Sequence, residues 1–269
     1  MLAFAGTDPT GGAGLPADVL TLAALGCHPL SVVTALTVQD TTGVTAVQPV
    51  DAAWVADQAR RALADMRARA FKIGLVGSAA NAAAIAAVLA EHPDVPVVLD
   101  PVLASGRGDA LVGSAAIAAL TELLLPRATV VTPNSLEARR LAFGAHPNAP
   151  GTLAEAAQRL RALGAEFVLI TGTHEPTPEV INTLYGPGGM VLSERWARLP
   201  GSYHGSGCTL AAALAAGLAR GRTVAAAVGE AQRYTWQALA HGFRPGTGQH
   251  LPDRLAARAP GPGAGAEPE

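Results

Sequence analysis

Short apolar runs alternate with alanine- and leucine-rich helical stretches along nearly the whole 269-residue chain. The run Pro96–Asp100 (PVVLD) is apolar up to its last residue, as a strand buried on both faces is. Similar runs stand at Leu2–Gly6, Leu30–Val38, Phe71–Leu75, Thr129–Thr132 and Glu166–Thr171, with Val44–Val47 as a short β extension. Between them, apolar residues recur at helical spacing over Leu15–Leu25, from a cap at Asp51 to Arg67, from Asn81 to near His92, and over Ser114–Leu125 and Asn134–Leu141. Thr152 and Glu155 form a capping box for a helix to Leu163, and two further helices cover Leu210–Arg220 and Val224–His241. Only Val180–Tyr185 and Met190–Glu194, joined by Gly186-Pro187-Gly188-Gly189, break the alternation, as an antiparallel hairpin. The pattern predicts an α/β fold: a central, mostly parallel sheet with helices on both faces. No repeat or linker interrupts it, so residues 1–258 are expected to form one domain, followed by a disordered Pro/Gly-rich tail, 259–269.

Composition narrows the partners. With 49% hydrophobic and 15% charged residues the chain can bury a large sheet, and a net charge of −2 without any Lys/Arg run argues against nucleic acid or a membrane surface as the main partner. Met1–Ala5 stops at Gly6-Thr7-Asp8-Pro9, too soon for a signal-peptide core, and the apolar run Leu210–Ala219 is too short to span a bilayer. Cys27 and Cys208 fit no metal spacing and suit a reducing compartment. The expected location is the cytoplasm.

In open α/β sheets, ligands bind beyond the carboxyl ends of the strands. Polar residues collect at those positions: Asp8 with Gly11–Gly14, Gln39 and Asp40, Asp100, Asn134 with Glu137, and Thr171, Gly172 and His174. The stretch Tyr203-His204-Gly205-Ser206-Gly207-Cys208-Thr209 runs straight into a helix, whose N-terminus offers unpaired N–H groups to an anion. Cys208 falls in the first turn, where the helix field is expected to lower a thiol pKa toward neutral or below. Taken alone, the loop reads first as a glycine turn with a packed cysteine. Asp18 alone reads as an acid at a helix boundary, and Glu137 alone as a solvated one. Together, an anion hole, a base and the acids Asp100 and Glu137, which could share Mg²⁺, make a phosphoryl-transfer set. No G-x-x-x-x-G-K-S/T motif is present, which excludes the P-loop route. A dinucleotide site at Gly12–Ala17 (G-x-G-x-x-A) ranks lower, since Asp18 would meet the pyrophosphate with like charge.

Several segments carry a resemblance: Ala5–Gly14 (AGTDPTGGAG), Ser31–Gly43 (SVVTALTVQDTTG), Lys72-Ile73-Gly74, Asp100-Pro101-Val102, Thr132-Pro133-Asn134 with Glu137-Ala138, and His204–Thr209. In this order, from Ala5 to about Leu251, they resemble the hydroxymethylpyrimidine/phosphomethylpyrimidine kinases of thiamine biosynthesis, in the ribokinase-like superfamily. The resemblance implies a three-layer ribokinase-like fold, ATP and Mg²⁺ as cofactors, a small pyrimidine substrate and a homodimer. It implies that Gly11, Asp18, Gln39, Leu75 and Val102 bind the pyrimidine, and that Asn134, Thr171 and Gly172 lie near the nucleotide. Asp100 and Glu137 would organise the metal. Gly205, Ser206 and Gly207 would form the anion hole, with Cys208 as the base.

Some positions depart from the family pattern. Thr171-Gly172-Thr173-His174 replaces a more usual Lys-Gly-Gly-His and loses a cation near the nucleotide phosphates. Ser135-Leu136 interrupts the usual Leu-Pro before Glu137, and Ala104–Asp109 differs from a commoner Lys-Ser-Gly-Asp ending, with Arg107 as a stand-in charge. Gly246-Thr247-Gly248 only loosely matches the family's glycine-rich ending. A pyridoxal kinase and a pyrimidine sensor without turnover stay open as alternatives.

Overall fold

The structure, a computed structural model, describes residues 1–104, 111–144 and 151–256. The expected tail at 259–269 and the stand-in charge Arg107 lie outside the described residues.

Six strands run parallel in the order β2 (Leu30–Val33), β1 (Leu2–Ala5), β5 (Phe71–Ile73), β6 (Val97–Leu99), β7 (Val130–Val131) and β8 (Phe167–Ile170). The antiparallel hairpin forms as predicted, as β9 (Glu179–Gly186) and β10 (Gly189–Ala197), and it also extends the sheet antiparallel beyond β8. Side chains alternate across a strand, and here the two sets enter separate cores. Val97, Leu99, Val131, Val168 and Ile170 pack with α2 (Ala52–Asp65), α3 (Ala79–Ala90), α4 (Ser114–Ala119), α5 (Ser135–Phe143) and α6 (Leu153–Ala162). Val98, Val130 and Leu169 face the other way, onto α1 (Gly14–Ala24), α7 (Ser206–Ala219) and α8 (Val224–Ala240). That division is the three-layer arrangement, and it explains why these strands carry apolar residues on both faces.

Local chemistry sets the helix ends. Asp51 accepts from Ala53 N, and Thr152 and Glu155 form the predicted capping box. Two boundaries differ from the sequence reading. Asn81 does not begin α3; Ser78 caps it, and Asn81 sits buried inside, donating to Thr34 O and Val76 O at 3.0 Å each. The stretch predicted as one helix over Ser114–Leu125 relaxes after Ala119 into a wider turn over Leu120–Leu124 and a tight turn ending at Arg127, with Pro126 blocking continuation.

The predicted strand Leu30–Val38 is in fact two. Thr34 is held by Ala5 O, Val50 N and Asn81 Nδ2, and its hydroxyl donates to Leu75 O. Past this anchor the chain leaves the main sheet. Ala35–Gln39 becomes β3, paired antiparallel with β4 (Val44–Pro49) in a two-stranded flap. Periodicity alone could not show the break, because both halves are equally apolar.

Candidate active site

The parallel register places the strand ends along one edge. Phe4 lies opposite Ile73, Ile73 opposite Leu99, and Leu99 opposite Val131. The residues that follow therefore converge on one cavity of about 560 Å³. Gln39, Leu75 and Val102 line it, as do Asp100, Asn134, Glu137 and Thr171. So do Gly205, Ser206, Gly207 and Cys208. Gly11, Asp18 and Gly172 are not among its lining residues.

Two helix N-termini meet at Cys208. Gly205 caps α7 with φ +82°, and a Cβ there would overlap the Gly12 carbonyl oxygen. This position requires glycine. From the other side, the Gly14 backbone N–H at the start of α1 donates to the Cys208 sulfur. A Gly205→Ala variant is expected to lose more than the ~1–2 kcal/mol of a left-handed residue, because the overlap adds to the strain. A thermal melt checks this, and an unchanged Tm would contradict the geometry.

The thiol itself behaves opposite to expectation. Burial pushes it up to about 12; Asp100 and Asp18 add to the rise, against Lys72 and the Gly14 N–H, which oppose it. Burial is the largest of these influences, and the two carboxylates that add to it are ones that sequence spacing did not place there. Cys208 also hydrogen-bonds Asp100, which burial raises and which Lys72 and that bond lower, for a net rise.

Asp18, expected at the pyrimidine, lies beneath the site. It is fully buried and paired with the fully buried Lys72, whose Nζ stands 2.9 Å from Oδ1 and 3.0 Å from Oδ2. Burial raises the Asp18 carboxyl, an effect that Lys72 counters. Gly74 makes room for the ammonium: a Cβ there would come within 2.7 Å of Nζ. Gly11 turns at φ +75° in the loop before α1, and Gly172 N donates to the buried Asn182 Oδ1 at 3.1 Å.

Glu137 and Asn134 close the end of α5. Asn134 Oδ1 accepts from Leu136 N and Glu137 N, and Glu137 answers by accepting from Asn134 N at 3.0 Å and Leu103 N at 3.2 Å. Burial and then Asp100 raise the Glu137 carboxyl to about 8, despite those two amides. Asp100 is 5% exposed, and its Oδ2 has no hydrogen-bond partner among the described residues. Two neighbouring buried carboxylates, one with an unmet oxygen, fit a hard divalent cation. Among the described residues no group of three His, Cys, Asp or Glu could hold a metal alone. The pair Asp100 and Glu137 matches the one or two carboxylates that Mg²⁺ takes before completing its shell with phosphates and water.

The raised Glu137 has a consequence for stability. Its folded pKa exceeds the unfolded one, so its contribution is full below about 4.5 and is lost as pH rises through about 8. Without divalent cation, Tm is expected to fall over that window, and Glu137→Gln to flatten the slope. An identical slope in the variant would assign the effect elsewhere.

Sequence reasoning gave no role to several residues of the site. Asp8 meets His204 Nε2 at 2.9 Å while accepting from Thr10 and Ala13. Burial pushes its carboxyl up, but these bonds outweigh that and hold it below the usual value. Arg198 lines the cavity and donates to Thr173 O, Glu175 O and Thr177 O, bringing a cation to the loop that lacks the lysine. Lys72 was detectable in principle: a lysine within an apolar strand needs a buried acid.

A three-layer, mostly parallel sheet with a glycine loop at a helix N-terminus and paired acids at its edge is the arrangement of the ribokinase-like class of small-molecule kinases. Comparison with known proteins narrows this. A family model described as phosphomethylpyrimidine kinase matches residues 8–253. The hydroxymethylpyrimidine/phosphomethylpyrimidine kinase of Rhizobium meliloti (strain 1021) is 40% identical over 248 residues, covering 92% of this chain and 93% of that protein. The phosphomethylpyrimidine kinase of Clostridium difficile 630 superposes with a TM-score of 0.75 at 31% identity, over 88% of this chain and 98% of that one. The Bacillus subtilis pyridoxal kinase, solved as an ADP complex, reaches 0.85 at 28% identity, over 96% and 97% of the two chains. The chain belongs to the phosphomethylpyrimidine kinase family.

Proposed function

We propose that this protein transfers the γ-phosphoryl group of ATP to the hydroxymethyl group of 4-amino-5-hydroxymethyl-2-methylpyrimidine, and then a second phosphoryl group to the monophosphate, in thiamine biosynthesis. The carrying observation is the meeting of the α1 and α7 N-termini at Cys208, directly beside Asp100. The hydroxymethyl oxygen attacks the γ-phosphorus, the bond to the β-phosphate oxygen breaks, and the hydroxyl proton passes to Cys208. The Ser206 and Gly207 N–H groups stand at the unpaired helix end, where they meet charge on the transferred group. Mg²⁺ held by Asp100 and Glu137 would supply positive charge for the phosphoryl oxygens and offset these carboxylates. With Asp100 so neutralised, one of the groups that hold the proton on Cys208 is offset, and Lys72 and the Gly14 N–H favour the thiolate that a base must be, against burial and Asp18.

Gln39, Leu75 and Val102 form the pyrimidine wall in this reading, with Asn134 and Thr171 toward the nucleotide and Gly11 and Gly172 as backbone support. Asp18 acts through Lys72 rather than on the ring. Residues 1–258 make one kinase domain. No helix among the described residues is long and apolar enough to cross a membrane, and the reading places the enzyme in the cytoplasm.

Incubation with ATP, Mg²⁺ and the pyrimidine, read by mass, should show the mono- and then the diphosphate. No phosphorylated product from folded protein would overturn the proposal. A second reading, pyridoxal phosphorylation, is favoured by the close superposition on the Bacillus subtilis enzyme. A pyrimidine sensor would instead show ligand stabilisation without ADP release.

We also propose a homodimer through the β3–β4 flap. Leu36 and Val38 are 52% and 63% exposed on it, with Trp54 69% exposed at the start of α2. Light scattering should give twice the chain mass, falling to one chain in Val38→Lys. A monomeric wild type would refute the dimer.

A further inference from the structure

The last described segment ties together the loops of the site. Gly248 N donates to Thr41 Oγ1 at 3.0 Å and Gln249 N to Thr41 O at 2.8 Å, fixing the segment to the flap turn. His250 N then donates to Ser202 O, and His204 N to His250 O at 2.9 Å. Four residues on, one position past the end of the family match, Arg254 turns inward and is 3% exposed.

Its guanidinium meets no carboxylate in an ion pair among the described residues. Instead Nε donates to Thr209 Oγ1 at 3.0 Å, Nη1 to Gly11 O at 3.4 Å, and Nη2 to Gly12 O. Thr209 Oγ1 passes the contact on to Gly205 O at 2.8 Å. The Arg254 carbonyl is fixed in turn by Tyr234 Oη at 2.7 Å. Asp18 and Asp8 act on the guanidinium charge from a distance only, and burying a cation whose direct hydrogen-bond acceptors are all neutral is costly, so this arrangement is a poor way to gain stability. It is a good way to set geometry, since a planar fork holds several acceptors in fixed directions.

The peptide planes show what is being set. In a trans peptide, C=O and N–H point opposite ways. With the Gly11 and Gly12 carbonyls turned to Arg254, the N–H groups of Gly12 and Ala13 point to Thr10 Oγ1 and Asp8 Oδ2. Glycine planes rotate freely unless gripped from both sides. Arg254 grips one side and Asp8 the other, and each also holds the α7 loop, through Thr209–Gly205 and through His204.

We infer that Arg254 is a positioning residue for phosphoryl transfer, holding the Gly11–Gly12 peptides and the Gly205–Thr209 turn where the α1 and α7 N-termini meet at Cys208. The inference rests on the kinase reading for its kinetic consequence only.

Arg254→Ala should lower kcat by about 10²-fold, as small misplacements do, with KM for ATP and pyrimidine changed by less than ~3-fold. Added guanidinium ion should restore part of the rate. Arg254→Lys should stay low, because an ammonium cannot span three acceptors in one plane. A folded Arg254→Ala with wild-type kcat, or one that changes KM alone, overturns the inference. Hydrogen exchange on the ligand-free protein gives a readout independent of turnover. Exchange at Gly12, Ala13 and Thr209 should accelerate at least ~10-fold while α3 and α6 keep their protection, and unchanged exchange at the three amides overturns the inference. If Arg254→Ala does not fold, Thr209→Val, which removes the Nε link together with the Thr209–Gly205 bond it passes to, carries both comparisons with the same criteria. A wild-type protein without kinase activity would sink the kinase reading and leave the exchange experiment to decide this one.

Discussion

Cys208→Ala is expected to lower kcat by about 10²–10⁴-fold, the usual worth of a positioned general base, while KM for both substrates stays nearly constant. The thiol lies where the Gly14 amide, the α7 N-terminus and Asp100 converge, so its loss removes the proton acceptor without disturbing either binding wall. The wild-type rate should also rise with pH on its acid limb, since burial and two carboxylates hold the thiol proton on. That limb should vanish in the variant. A near wild-type rate for Cys208→Ala would show that the proton leaves by another route.

Lys72→Met should have the next largest effect. It leaves Asp18 fully buried without its cation, and breaking such a pair costs about 3–5 kcal/mol. Chemical denaturation reads this directly. The double variant Asp18→Leu/Lys72→Met should recover most of the stability, because an apolar pair can replace a buried ion pair. Activity should not recover with it. Lys72 is the cation that favours the Cys208 thiolate and the ionised Asp100. Full activity in the double variant would reduce the pair to packing.

The same pair marks where sequence reading stops. The layers were legible because Val97–Leu99 and Val130–Val131 are apolar on both faces, and the helix ends because Asp51, Thr152 and Asn134 cap locally. The edge loops were legible because polar residues gather past the strands: Asp100 directly after one, Glu137 and Cys208 in the first turns of helices. Contacts between distant segments were not. Asp18 meets Lys72 across 54 positions and Arg254 meets Gly12 across 242, and neither distance leaves a local pattern. The resemblance put Asp18 at the pyrimidine, whereas its ion pair holds it below the cavity. The Cys208 thiol failed for a related reason: its helix turn is local, but the burial that raises it, and the Asp18 and Asp100 carboxylates that add to the rise, come from distant segments.

The central claim is that this edge serves a pyrimidine hydroxymethyl group. Its most direct test is ADP release with hydroxymethylpyrimidine, its monophosphate and pyridoxal run side by side under one set of conditions. The account predicts turnover of both pyrimidines, with kcat/KM for hydroxymethylpyrimidine above that for pyridoxal. Turnover of pyridoxal alone, or ADP release with none of the three, would contradict it.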